Sequence, residues 1–258
     1  MALGRAEPRR GADLSGRQRF LEALAGQGLA FAPIVWQALP ALVHQERADW
    51  WRDPAVGQRL IADAAALAAA DAMFVCAAEE AVRGALAAGE RGDAALDALA
   101  STPGVSDGAA LVRCLREVAD HAVIAAVPAP EALQRALDGA EPEVAEDAFA
   151  DLCSAYLEAG ADALAIMGEE GGEVGAGVTR AARLASLYGR PVLGVAERDG
   201  EVEAWDEHGE PLGVISPGGE WPKGASIVVI TPGDVSTRWD AARLRAVGAA
   251  RSAGTRSP

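Results

Sequence analysis

Acidic side chains at the ends of apolar runs are the residues of this chain best suited to chemistry. Glu79 and Glu80 follow the run from Asp71 to Cys76, and Glu169 and Glu170 follow Ala163 to Met167. Glu197 follows Pro191 to Ala196, and Asp234 follows Ser226 to Thr231. If these runs are parallel strands, all six carboxylates fall at C-terminal strand ends, where barrel enzymes carry their chemistry. A ring of carboxylates there suits a divalent cation or an amine and repels an anion. The alternative is a set of solvated loop acids in an acidic chain. His44, in the loop after the first apolar run, could act as an acid or base at neutral pH. A surface histidine beside Gln45 and Glu46 is its other reading. His121 and His208 read as structural or solvated. Trp36 at a strand end, with Trp50 and Trp51, could wall a pocket for a flat ligand, pack in a core or meet a second copy of the chain.

The elements that would position these residues alternate along the chain. Ser15 caps a helix that runs to Ala25 and stops at Gly26 and Gly28, ahead of the apolar run Ala30 to Trp36. Asp53-Pro54 starts a long helix to about Ala70, and Asp71 to Cys76 is the second strand. A helical stretch over Glu79 to Leu99 is broken by Gly89 and Gly92. Ser101 to Gly108 reads as a glycine-rich joint, Ala109 to Asp120 as a helix and His121 to Val127 as the third strand. Helices over Pro130 to Gly139 and Pro142 to Ala159 lead through Gly160 into a fourth strand, Ala163 to Met167. Thr179 to Tyr188 is a helix and Pro191 to Ala196 a fifth strand. Asp199-Gly200 and His208-Gly209 then mark turns, so Glu197 to Ile215 reads as a hairpin or meander. Ser226 to Thr231 is the last strand, and Thr237 to Ala250 the last helix.

Strands alternating with helices predict a largely parallel sheet. No GxGxxG follows an early strand, and the single lysine, Lys223, rules out a Walker phosphate loop. A chain of 258 residues, half of them hydrophobic, can bury one full core. We expect one domain over 14–250, with frayed ends at 1–13 and 251–258. The net charge of -15 and the lack of a basic stripe argue against nucleic acid and against an anionic membrane surface. No signal core or membrane-length apolar run is present, so a cytoplasmic protein is expected. Cys76, Cys114 and Cys153 are widely spaced in apolar surroundings and read as buried free thiols.

Several joints resemble a known family. Arg19-Phe20-Leu21-Glu22-Ala23-Leu24-Ala25-Gly26 followed by Ala32-Pro33-Ile34-Val35-Trp36 resembles the first helix and strand of uroporphyrinogen decarboxylase-like (β/α)8 barrels, the superfamily related to methionine synthase. Asp53-Pro54 and the helix to Ala70-Asp71-Ala72-Met73-Phe74-Val75 resemble its second unit. Tyr156-Leu157-Glu158-Ala159-Gly160-Ala161-Asp162-Ala163 is similar to its recurrent "aGAD" joint, and Thr231-Pro232-Gly233-Asp234-Val235 to its closing loop.

The resemblance implies a TIM-type barrel and a lyase or one-carbon-transfer chemistry on a small ligand at the C-terminal mouth. It does not imply genuine uroporphyrinogen decarboxylation. Gln37-Ala38-Leu39-Pro40 lacks the family's arginines, Val127-Pro128-Ala129-Pro130 lacks its tyrosine, and Pro232 stands at its histidine. The family's catalytic aspartate would fall near Ala78, with Glu79 adjacent. The zinc-binding histidine and cysteines of the methyltransferase branch are absent from Val195 to Gly200 and from Ile230 to Asp234. About thirty residues separate the fifth and last strands, whereas two βα units need roughly sixty, so the barrel should be shortened in its last third. The candidate catalytic residues are Glu79, Glu169 and His44. Trp36, Gln37, Glu170, Glu197 and Asp234 are the candidate ligand contacts, no metal ligands are assigned, and the sequence identifies no cofactor. A small molecule is the expected partner, and a homodimer is compatible with a tryptophan contact between copies of the chain. A non-catalytic binding or assembly protein on the same frame is the alternative.

Overall fold

The computed structural model describes residues 14–36, 39, 49–99, 101–137, 140–168, 174–198, 201–214 and 227–230, with isolated positions at 242, 245, 246 and 249. The expected tails lie outside these residues, as does nearly all of the helix expected over Thr237 to Ala250.

Helix α1 (Gly16–Leu24) begins with a capping box: the Gln18 N–H donates to the Ser15 hydroxyl at 3.2 Å, and the Ser15 N–H donates to the Gln18 side chain at 3.1 Å. Strand β1 (Leu29–Ala32) is shorter than its apolar run, because Pro33 has no N–H to continue a ladder. A single 3-10 turn over Trp50–Arg52 precedes α2 (Pro54–Ala68). As the sequence predicts, the Asp53 carboxylate accepts from the N–H groups of Ala55 and Val56 at 3.1 and 3.3 Å, with Pro54 in the first turn. That helix ends on Ala69, which takes a left-handed conformation at φ 49°.

Strand β2 (Ala72–Val75) leads to α3 (Ala77–Ala87) and α4 (Gly92–Leu99), separated by Gly89 and Gly92 at positive φ. Helix α5 (Pro103–Val118) corrects the expectation of a glycine-rich joint. Thr102 caps it, Pro103 opens it, and Gly104 and Gly108 lie inside it. A Cβ on Gly108 would overlap Ala77 and stand 2.8 Å from the Tyr156 hydroxyl, so glycine serves close helix packing there. The chain continues through β3 (Ala122–Pro128), α6 (Pro130–Ala136), α7 (Pro142–Glu158), β4 (Ala163–Gly168), α8 (Val174–Ser186) and β5 (Val192–Arg198). It closes with β6 (Glu201–Asp206), β7 (Gly213–Val214) and β8 (Ile227–Ile230).

Among the described residues these strands form two sheets, in the orders β2-β3-β4-β5-β6 and β1-β8-β7. Every pairing is parallel except β5 with β6, which form the expected antiparallel hairpin. Two seams bring the sheets together. The Asp71 N–H donates to the Phe31 carbonyl at 2.8 Å beside β1, and the Leu212 N–H donates to the Ala204 carbonyl at 2.8 Å beside β6. The core lies between strands and helices. All seven residues of β3 are buried, and Phe74, Phe149 and Tyr156 fill the layer beneath α3, α5 and α7. No helix among the described residues is long and apolar enough to cross a membrane.

Candidate active site

Helix α3 starts directly after β2, so its first turn stands over the C-terminal ends of the strands. Glu79 and Glu80 occupy that turn, where the helix dipole favours negative charge. Glu79 lines a cleft of about 330 Å³ with Val82, Arg83 and Leu86 of the same helix. Pro128 at the end of β3, Ala132 and Ala136 of α6, and Met167 and Gly168 at the end of β4 complete the wall. The i, i+3, i+4 and i+7 spacing of Glu79, Val82, Arg83 and Leu86 puts all four on one helical face. The cleft is therefore apolar, with one carboxyl and one guanidinium as its titratable lining groups among the described residues.

Burial raises the Glu79 carboxyl from 4.5 to about 7, with a further push from the Glu80 carboxylate, while Arg83 pulls in the other direction. Burial dominates because Arg83 is engaged elsewhere: its Nη1 donates to Glu80 at 3.1 Å and the guanidinium is largely exposed. At neutral pH Glu79 is therefore divided between acid and carboxylate. Cys76 precedes it at the N-cap, buried, and burial together with Glu79 and Glu80 pushes its thiol well above the usual range. That thiol is a poor nucleophile. Cys114 and Cys153 are also free, with Cys114 only half-buried and the thiol of Cys153 pushed to about 12 by burial.

Of the other predicted site residues, Trp36 lies just beyond β1, buried against Trp50 with ring centroids 4.6 Å apart at an interplanar angle of 48°. Trp51 is buried too, beneath the Arg52 guanidinium at 5.3 Å. Gln37, His44, Glu169, Glu170 and Asp234 lie outside the described residues. The backbone of Glu197 belongs to β5, and its side chain also lies outside them. Among the described residues no group of three or more His, Cys, Asp and Glu side chains is placed to hold a metal ion.

The opposite end of the sheet holds polar residues that local spacing did not single out. Asp162, one residue before β4, is fully buried. Its carboxylate accepts from Arg17 Nε at 2.8 Å, from Arg116 Nη1 at 3.2 Å and from the Val123 N–H at 3.1 Å, with Arg190 Nη1 at 3.5 Å. Asp71, one residue before β2, is equally buried, and accepts from Arg19 Nε at 2.7 Å and from the Phe31 N–H at 2.9 Å. The shared signal is Ala-Asp-Ala at both strand starts, Ala70 to Ala72 and Ala161 to Ala163. His121, before β3, is buried, and its Nε2 has no hydrogen-bond partner among the described residues. Burial holds its pKa below 6.5, against the pull of Asp120 and Asp162.

A search of solved structures finds the same architecture in a chain described as a methyltransferase from Methanosarcina mazei, with a TM-score of 0.58 over 94% of this chain and 100% of that one. The two are 14% identical, so the likeness is one of fold. No protein-family model matches the sequence, and no curated protein matches it significantly. The chain is an α/β protein with a mostly parallel sheet, consistent with a TIM-like fold.

Proposed function

We propose that the two sheets belong to one shortened (β/α)8 barrel of the uroporphyrinogen decarboxylase-like kind, and that the Glu79 cleft binds a small, mostly apolar organic acid and exchanges a proton with it. The observation that carries this reading is a carboxyl raised to about 7 inside an apolar cleft, one helical turn from an arginine. The exposed Arg83 guanidinium offers N–H donors to a ligand carboxylate, and the walls from Val82, Leu86, Ala132 and Met167 accept an apolar body. Glu79 then supplies the proton that a carbon needs when it loses carbon dioxide, which is lyase chemistry. One-carbon transfer is the other class compatible with the family resemblance and with the methyltransferase named above, and there Glu79 would act as a base that takes a proton from the accepting group.

A non-catalytic binding protein is the second reading. It is favoured by the cleft's having, among the described residues, one proton-transfer group and no second acid or base. Amide chemical-shift mapping with benzoate as the probe tests the site. Shifts confined to Val82, Leu86, Ala132 and Met167, weakened at least tenfold in Arg83→Gln, are expected; no shift at these amides overturns it.

A further inference from the structure

We infer that Arg17, Arg116 and Arg190 form a second site, at the N-terminal end of the sheet, for a small phosphate-class oxyanion. Three guanidinium groups converge there on the single carboxylate of Asp162. Among the described residues none of the three has another carboxylate in ion-pair range, so two positive charges are left over. This happens in a chain whose net charge is -15, where an uncompensated arginine cluster is unexpected. The three come from separate elements: the first turn of α1, the last turn of α5 and the segment just before β5.

The guanidinium groups remain available. The side chains of Arg17, Arg116 and Arg190 are 32%, 19% and 25% exposed, enough to reach a ligand and low enough for partial desolvation. Arg17 uses Nε toward Asp162, and Arg116 and Arg190 use one Nη1 each, so most of their N–H donors have no acceptor among the described residues. Planar forks with free donors match the oxygen spacing of phosphate. Burial chiefly lowers the Arg116 pKa, Asp162 opposes it, and the Arg17 and Arg190 charges add smaller downward pushes.

On one side of the cluster there is open space: a cavity of about 550 Å³ is lined by Arg190 together with Ser186, Gly189, Pro191, Glu207 and His208, while Arg17 and Arg116 approach Asp162 from outside that wall. Glu207 also lines that cavity; its Oε2 accepts the Val192 N–H at 3.3 Å and its Oε1 lies 3.8 Å from His208 Nε2. The buried His121 Nε2, without a hydrogen-bond partner among the described residues, lies at the same end of the sheet.

Calorimetric titration with inorganic phosphate and with glycerol 3-phosphate, against sodium chloride at matched ionic strength, tests the site. One equivalent of either phosphate should bind the wild type and raise its thermal midpoint. Arg190→Gln should weaken binding at least tenfold, Arg190→Lys should weaken it less, and Arg59→Gln, on the exposed face of α2, should leave it unchanged. Tighter binding of the ester would identify an organic phosphate, and equal binding free phosphate. A midpoint identical in phosphate and chloride, or wild-type affinity in both Arg190 variants, would overturn the inference.

Discussion

Asp71 and Phe31 hold one another by two reciprocal hydrogen bonds. The Asp71 N–H donates to the Phe31 carbonyl at 2.8 Å, and the Phe31 N–H donates to the Asp71 carboxylate at 2.9 Å. The side chain thus continues a ladder across the seam between β1 and β2, which are not paired as strands among the described residues. Asp162 and Val123 repeat the arrangement between β4 and β3, at 2.8 and 3.1 Å. Asp71→Ala leaves a buried N–H without an acceptor and Arg19 without its carboxylate, and should cost about 3 kcal/mol. Asp71→Asn keeps an acceptor for Phe31 and should cost roughly half as much. Urea midpoints measure both, and equal losses would show that the Phe31 bond contributes nothing.

Gly194 lies directly across the hairpin from Trp205, and a Cβ there would sit 2.6 Å from the indole Cζ2 and closer still to the pyrrole edge. Gly194→Ala should destabilise by about 2 kcal/mol through overpacking. In a Trp205→Leu background the same substitution should cost under about 1 kcal/mol. Additive losses in the double-mutant cycle would place the strain elsewhere.

Ala69 closes α2 at φ 49°, a conformation that L side chains rarely adopt and glycine adopts freely. Ala69→Gly should therefore stabilise the protein by roughly 0.5 to 1 kcal/mol, against the usual direction for an added glycine. A lower thermal midpoint would contradict the strain.

Glu79 makes stability depend on pH with a definite sign. Its folded pKa of about 7 exceeds the ordinary 4.5, so between those values the folded state binds more protons than the unfolded one. Its contribution is complete below 4.5 and is lost as pH rises through about 7, up to roughly 3 kcal/mol in all. Glu79→Gln, neutral at every pH, should raise stability at pH 8 and leave it nearly unchanged at pH 4. Denaturation across that range would refute the burial argument if the variant showed the wild-type slope.

Local chemistry made much of this architecture legible. Ser15 and Asp53-Pro54 marked helix starts, and Asp199-Gly200 and His208-Gly209 marked the turns on either side of β6. The glycines of α5 misled, because a glycine that breaks a helix and one that lets two helices touch look alike until the partner is known. Gly108 is the second kind, set against Ala77 and Tyr156. Glu79 was legible from its place after a strand, whereas its raised pKa depends on apolar walls from α6 and β4. The Asp162 cluster was not, since Arg17 and Asp162 meet across 145 residues of sequence.

Glu79, proposed above as a proton-transfer group in an apolar cleft, is tested most directly by the titration of its carboxyl. Carbon-detected NMR of side-chain-labelled protein, assigned with Glu79→Gln, should give a midpoint of about 7, moving higher in Arg83→Gln as the lowering charge is removed. A midpoint near 4.5, unaffected by Arg83, would contradict the account.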